Sequence, residues 1–285
     1  MALNKKMICS ALFILSAILI TVLLLICNKA ITVREFTVYD EKLPKAFDGF
    51  RIVHVSDLHN ESFGTDNEKL ISEIKKLAPD AIAITGDIID SRRTDADVSV
   101  AFVAKAVETA PVYYVTGNHE YRTSIPDKLI ASLKSVGARV LCGEKITLEK
   151  DGGEISFYGI DDPRISGDYL TDYEAEVVKK ELEELHRGED FSILLSHRPE
   201  FFDIYKEFGY DLVLTGHAHG GQFRIPFAGG VYAPGQGFFP EFDSGLYEED
   251  SATMIVSRGL GNSVIPLRIN NNPELILITL KKEVR

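Results

Sequence analysis

Five short apolar runs in this chain end in the same way. Each closes on a serine or threonine and is followed by side chains able to bind a metal ion or move a proton, usually with a glycine at the corner. In order they read HVS-Asp57-Leu58-His59, AIT-Gly86-Asp87, YVT-Gly117-Asn118-His119-Glu120, LLS-His197 and VLT-Gly216-His217-Ala218-His219. Five of the seven histidines (His59, His119, His197, His217 and His219) fall in these clusters. Singly, each piece is weak, because Asp-x-His, Gly-Asp and a lone histidine all have ordinary structural readings. Jointly they are strong. If the runs are strands of an α/β sheet, their carboxyl ends face one cleft, where such sheets collect ligands. Carboxylate, amide and imidazole donors gathered there suit divalent manganese, iron or zinc. Cys9 and Cys27 lie in an N-terminal apolar run and only Cys142 lies in the body, so the body can hold neither an internal disulfide nor a multi-thiolate site. Of the two remaining histidines, His54 sits inside an apolar run and reads as core, and His186 sits in the charged ELHRGED segment and reads as solvated.

The elements that would position these groups are readable as well. Strands are predicted over residues 51–56, 81–85, 111–116, 138–142, 154–160, 191–196, 211–215, 252–257 and 274–280, all continuous apolar runs of the kind buried on both faces. Between them, Leu70, Ile71, Ile74, Leu77 and Ala78, and later Tyr173, Val177, Val178, Leu182 and Leu185, recur at helical spacing. An Asp151-Gly152-Gly153 turn joins two antiparallel strands, so the sheets should be mixed. The glycine- and aromatic-rich stretch from Gly220 to Pro240 is expected to form a turn-rich flap whose aromatic rings fill core, the competing reading being a substrate-binding rim or a lipid-facing apolar surface built from Phe223, Phe227, Tyr232, Phe238 and Phe239.

The ordered set Asp-x-His, Gly-Asp-x-x-Asp, Gly-Asn-His-Glu, a lone His and Gly-His-x-His resembles the calcineurin-like metallophosphoesterase superfamily over roughly residues 48–281. The segments SDLHN, GHAHGGQFRIPF, YAPGQG and SRGLGNSVIP resemble its membrane-tethered bacterial branch. The resemblance implies an α/β fold, a four-layer αββα sandwich of two mixed β-sheets flanked by helices. It also implies two divalent metal ions, manganese first among manganese, iron and zinc. One ion would be held by Asp57, His59, Asp87 and His219, the other by Asp87, Asn118, His197 and His217. A carboxylate is the natural bridge in such sites, whose ions lie about 3.5–4 Å apart. His119 is the expected proton donor or electrostatic stabiliser for the leaving oxygen, and Asp90 resembles the carboxylate that orients it. The protein-phosphatase branch carries an arginine just before Gly-Asn-His-Glu, where this chain has Thr116, and Ser91-Arg92-Arg93 only loosely echoes a second arginine. The expectation is therefore a phosphohydrolase for diesters or pyrophosphates in small-molecule or lipid-linked substrates, working by metal-activated hydroxide. A phosphomonoesterase and a catalytically silent metal-binding scaffold are the alternatives.

The 285 residues carry 43 acidic and 31 basic side chains, a net charge of -12, which works against general binding to nucleic acid phosphates. A dinuclear site would still be locally cationic. Met7 to Cys27 is an uncharged apolar run long enough, at about 1.5 Å per residue, to reach across a ~30 Å hydrocarbon core, and is expected to be a retained transmembrane helix, with a cleaved signal peptide as the competing reading. Lys5 and Lys6 before it favour a cytoplasmic N-terminus and an extracytoplasmic body. The expected division is an anchor over 1–30, a linker and first strand over 31–47, and a catalytic domain over 48–285.

Overall fold

All nine predicted strands form, each within two residues of its expected bounds. The computed structural model describes residues 5–163, 172–249, 252–262 and 265–283. The first half runs α1 (Lys5–Cys27), β1 (Thr32–Asp40), β2 (Arg51–Val55), α2 (Glu68–Lys76), β3 (Ala81–Thr85), α3 (Ala96–Ala106), β4 (Val112–Val115), the single turn α4 (Asn118–Tyr121), α5 (Pro126–Ser135) and β5 (Arg139–Val140). The second half runs β6 (Glu144–Lys150), β7 (Gly153–Gly159), α6 (Asp172–Glu184), β8 (Phe191–Leu195), α7 (Phe202–Glu207) and β9 (Leu212–Thr215). The two-residue strands β10 (Arg224–Ile225), β11 (Gly229–Gly230), β12 (Tyr232–Ala233) and β13 (Gly237–Phe238) follow, then β14 (Gly245–Glu249), β15 (Ala252–Val256) and β16 (Glu274–Lys282).

The strands build two six-stranded mixed sheets, ordered β1-β16-β2-β3-β4-β5 and β14-β15-β9-β8-β7-β6. In the first, β2 to β5 run parallel, so three of the motif-bearing ends share one edge. In the second, β7, β8, β9 and β15 run parallel and bring the other two ends together. The inner faces meet in a dry layer that includes Ile52, Ala83, Tyr113 and Val115 from one sheet and Phe157, Ile193, Leu195 and Leu214 from the other. Tyr113 and Phe157 stack across it with ring centroids 4.3 Å apart. Outside the first sheet, Leu70, Ile71 and Ile74 of α2, Phe102 and Val103 of α3 and Leu129 and Leu133 of α5 complete a second core. Outside the other, Val178 and Leu182 of α6 pack with Phe202 and Tyr205 of α7. The layers are therefore helix, sheet, sheet, helix, as expected.

Three expectations are corrected. Among the described residues no helix is long and apolar enough to cross a membrane. The transmembrane helix is accordingly withdrawn, and the extracytoplasmic placement that rested on it has no other structural support. The aromatic residues of 220–240 do not fill core: Phe227, Phe238 and Phe239 are exposed, because the hairpins β10–β11 and β12–β13 are too small to enclose them. Tyr173 lies on the outer side of α6 and is 73% exposed, leaving Val178 and Leu182 to seat that helix.

The two sheets are in close contact where β7 ends. A Cβ on Gly159 would collide with the carbonyl and Cβ of Leu141 and lie 2.7 Å from Val115 Cγ1. Gly159→Ala should therefore wedge the sheets apart and cost about 1–3 kcal/mol. Urea unfolding should show a lowered midpoint; an unchanged midpoint would mean the seam tolerates the methyl group.

Candidate metal centre

The chain leaves its strands through backbone conformations that side chains rarely adopt. Asp57, His59, Asp87, His217 and His219 all have positive φ, between 47° and 63°, with Gly86 at 84°. Each such residue costs on the order of 1–2 kcal/mol, so the surroundings must hold it in place. Asp57 N–H donates to Gly86 O, His59 N–H to Asp87 O and Gly261 N–H to Asp57 O, at 3.1, 3.0 and 2.6 Å. Glycine at the other corners supplies space. A Cβ on Gly117 would strike Asp87 Oδ1, and one on Gly216 would strike Ser56 Oγ and Asp57 Oδ2. The strand-ending hydroxyls stitch neighbouring ends together: Ser56 Oγ donates to Thr85 O at 3.3 Å, and Thr116 Oγ1 to Asp161 Oδ1 at 2.7 Å.

Two buried groups result, Asp57, His59, Asp87 and His219 in one and Asp87, His197 and His217 in the other, with the ligand atoms of each lying within 4.8 Å of one another. Asp87 belongs to both. Ring nitrogens face each other across both groups: His59 Nε2 is 3.2 Å from His219 Nε2, and His217 Nδ1 is 3.1 Å from His197 Nε2. His197 Nε2 is also 3.2 Å from Asp87 Oδ2, and His219 Nε2 is 3.3 Å from Asp57 Oδ1. Asn118 is buried beside them, and its Oδ1 has no hydrogen-bond partner among the described residues. Lone pairs converging in this way, with a buried amide oxygen left over and Asp87 common to both groups, would fit two divalent cations. They do not fit a closed hydrogen-bond network.

The electrostatics agree. Burial would raise the Asp87 carboxyl, but the charge and hydrogen bond of His197 lead the effects that outweigh it and hold the group well below the usual carboxylate range. Burial raises Asp57 to about 6. Burial pushes His59 down to about 3, and burial together with neighbouring cationic groups drives His217 and His219 well below the ordinary histidine value. Both effects favour the neutral form of these three rings, in which each keeps one nitrogen lone pair. His197 is the exception: burial opposes its protonation, yet Asp87 and Asp57 lift it to about 10. Its Nδ1 is 2.7 Å from Thr85 O, an acceptor, which leaves Nε2 to face Asp87.

His119 stands at the edge of this group, its ring 4.4 Å from that of His59 in an edge-to-face contact. Its Nδ1 accepts from Ser91 N–H at 3.1 Å. Asp90 Oδ1 is 3.6 Å from the same nitrogen, and its carboxylate is taken up by Arg92 N–H and by the guanidinium groups of Arg92 and Arg93. Ser91 N–H can only donate, so it holds the neutral ring, and Asp90 is the acceptor in reach of a protonated one.

Four further residues carry the site: Glu120, which the sequence showed only as part of its motif, and Arg198, Arg268 and Asp162, which it did not single out. Glu120, fully buried, accepts from the N–H groups of Asp87, Ile88, Ile89 and Gly117, fastening the β3 and β4 loops to each other. Burial and the Asp87 charge push it up to about 7. Arg198 is buried between Asp162 and Glu200 and reaches His217 Nε2 at 3.2 Å. Arg268, also buried, donates to Arg258 O and Gly261 O and lies 3.4 Å from His219 Nδ1. Asp162 had a sequence signal, because β7 ends in Gly159-Ile160-Asp161-Asp162, a sixth strand end of the same type.

Comparison with known proteins agrees with this site. A model of the calcineurin-like phosphoesterase family matches residues 50–221. The chain is similar to the uncharacterized metallophosphoesterase YkuE of Bacillus subtilis, 33% identical over 87% of this chain and 84% of that one. It is also similar to the metallophosphoesterase Cj0846 of Campylobacter jejuni, 30% identical over 97% of this chain and 71% of that one. Among solved structures, the Thermus thermophilus sulfate thiohydrolase SoxB has a similar fold, with a TM-score of 0.50 at 12% identity over 84% of this chain and 57% of that one. The chain belongs to the calcineurin-like phosphoesterase family and is a metal-dependent phosphohydrolase.

A proton sits on His197 at neutral pH where a cation would need its lone pair. Loading with Mn should therefore release about one proton per protein at pH 7, and affinity should rise as pH climbs toward His197's value of about 10. Calorimetry in buffers of different ionisation enthalpy measures this. A pH-independent affinity with no proton release would contradict the assignment of His197.

Proposed function

We propose that the chain hydrolyses phosphodiesters or pyrophosphates at a dinuclear centre. Asp57, His59, Asp87 and His219 hold one ion and Asp87, Asn118, His197 and His217 the other. The observation that carries this reading is the pair of ligand groups sharing Asp87, completed by the orphaned Asn118 oxygen. Bound there, divalent ions supply positive charge for the phosphoryl oxygens and acidify a water molecule. The protein holds the reacting groups in line and meets the leaving oxygen with His119. With Nδ1 turned to Ser91 and Asp90, His119 presents Nε2 to the leaving group.

Support for a diester comes from the arginines. A monoester dianion calls for additional fixed positive charge. Arg92 and Arg93 are both engaged by Asp90, and Thr116 spends its hydroxyl on Asp161. Arg198 and Arg268 are buried behind His217 and His219. A lipid-linked or envelope substrate has no support once the membrane span is withdrawn, so the proposal is confined to the phosphoester class.

Assays of the full chain with added Mn on bis(p-nitrophenyl) phosphate and on p-nitrophenyl phosphate test this. The diester should be the better substrate, and Asp87→Ala should abolish turnover together with binding of both ions. His119→Ala should retain two ions and lose roughly 10²–10⁴-fold in kcat. Turnover of the monoester alone would favour a phosphatase, and loss of metal in His119→Ala would make that residue structural.

A further inference from the structure

The second ligand group has a supporting carboxylate of its own. His217 points Nδ1 at His197 Nε2, into the group, and Nε2 away from it. On that outer side Arg198 Nη1 lies at 3.2 Å and Glu200 Oε1 at 3.8 Å. An imidazole that gives its Nδ1 lone pair to a metal carries its proton on Nε2 and must donate it. Arginine has no acceptor. Glu200 does: its side chain is 3% exposed, Oε1 faces both His217 and Arg198, and Oε2 is buried with no hydrogen-bond partner among the described residues.

We propose that Glu200 is a positioning residue for the second metal: its carboxylate accepts a hydrogen bond from Nε2–H of His217, the proton staying on the ring, and so keeps Nδ1 facing the ion. Arg198, anchored to Asp162 by Nε at 2.6 Å, faces Glu200 Oε1 and holds it in place. Ligating histidines characteristically donate their second nitrogen to such a carboxylate, which fixes tautomer and orientation. The local sequence explains the placement. His197, Arg198, Pro199 and Glu200 follow β8 directly, and the Pro199–Phe201 turn brings Glu200 back beside the ligand two residues past the arginine. Glu200 is also held from outside, since Gly235, at φ 75°, lies so close that a Cβ there would strike its Oε1. The β12–β13 hairpin thus closes over the carboxylate and keeps it dry.

The inference rests on the dinuclear reading above, and its test separates the two. Metal content and titration calorimetry of the full chain with Zn come first, and wild type should take two ions. In Glu200→Ala one ion should bind about 10–100-fold more weakly and the other unchanged. Glu200→Gln, which keeps an acceptor oxygen, should recover much of the loss. Long-range proton–nitrogen correlation spectra of the histidine rings give the signature a merely structural role would not move: in Zn-loaded wild type His217 should be protonated on Nε2, with that proton shifting in Glu200→Gln while His59 and His219 stay in place. If wild type takes fewer than two ions, the dinuclear reading fails and the role of Glu200 with it. With two ions in wild type, equal affinities in Glu200→Ala, equal weakening of both ions, or a His217 proton on Nδ1 would overturn the role of Glu200 alone. Should Glu200→Ala not fold, the glutamine variant and the wild-type spectra decide.

Discussion

An ionised carboxylate held almost wholly out of water, Asp87 at the end of β3, is the constraint on which the rest of the structure depends. Burying a charge is expensive unless it is matched, and what matches this one is a ring of imidazoles and backbone N–H groups. His119 N–H donates to its Oδ1 at 2.7 Å, and its own N–H is held by Glu120. Its neighbours must therefore arrive from several strands at once, in left-handed conformations and with no room for side chains at the corners. The same charge that makes the place costly to build makes it a seat for cations.

No single sheet could supply that surrounding. The β2, β3 and β4 ends bring Asp57, His59, Asp87, Asn118 and His119, and the β8 and β9 ends bring His197, His217 and His219. The centre consequently lies on the seam between the two sheets, and the inter-sheet core under Tyr113 and Phe157 sets the distances across it. Packing and function are coupled here: a change that moves one sheet against the other changes the spacing of the two ligand groups. Each histidine of the Gly-His-Ala-His segment is backed by a buried arginine, Arg198 behind His217 and Arg268 behind His219, but the two environments differ. Arg198 is matched by Asp162 and Glu200, whereas Arg268 is held by backbone carbonyls.

Much of this was legible in the sequence, for a physical reason. Strands buried on both faces must be continuous apolar runs, and groups placed at their carboxyl ends follow immediately in the chain, so element and site are written side by side. What was not legible depends on partners distant in sequence. Glu120 was visible as part of a motif, but its four N–H donors come from two separate loops. Glu200 matters only because β9 brings His217 back to it. The aromatic segment misled because composition does not reveal whether a hairpin has a second layer to pack against; Phe227, Phe238 and Phe239 have none. The apolar N-terminal run misled in a similar way, since length and hydropathy were taken for a span that the described helix does not support.

The central claim is that one carboxylate joins two metal ions at the seam of the sheets. Electron paramagnetic resonance of the full chain loaded with two equivalents of Mn(II) tests it most directly, because ions bridged at about 3.5–4 Å are exchange-coupled and isolated ions are not. The account predicts a coupled spectrum in wild type that Asp87→Asn weakens or removes. Two uncoupled Mn(II) signals in the wild-type protein would contradict it.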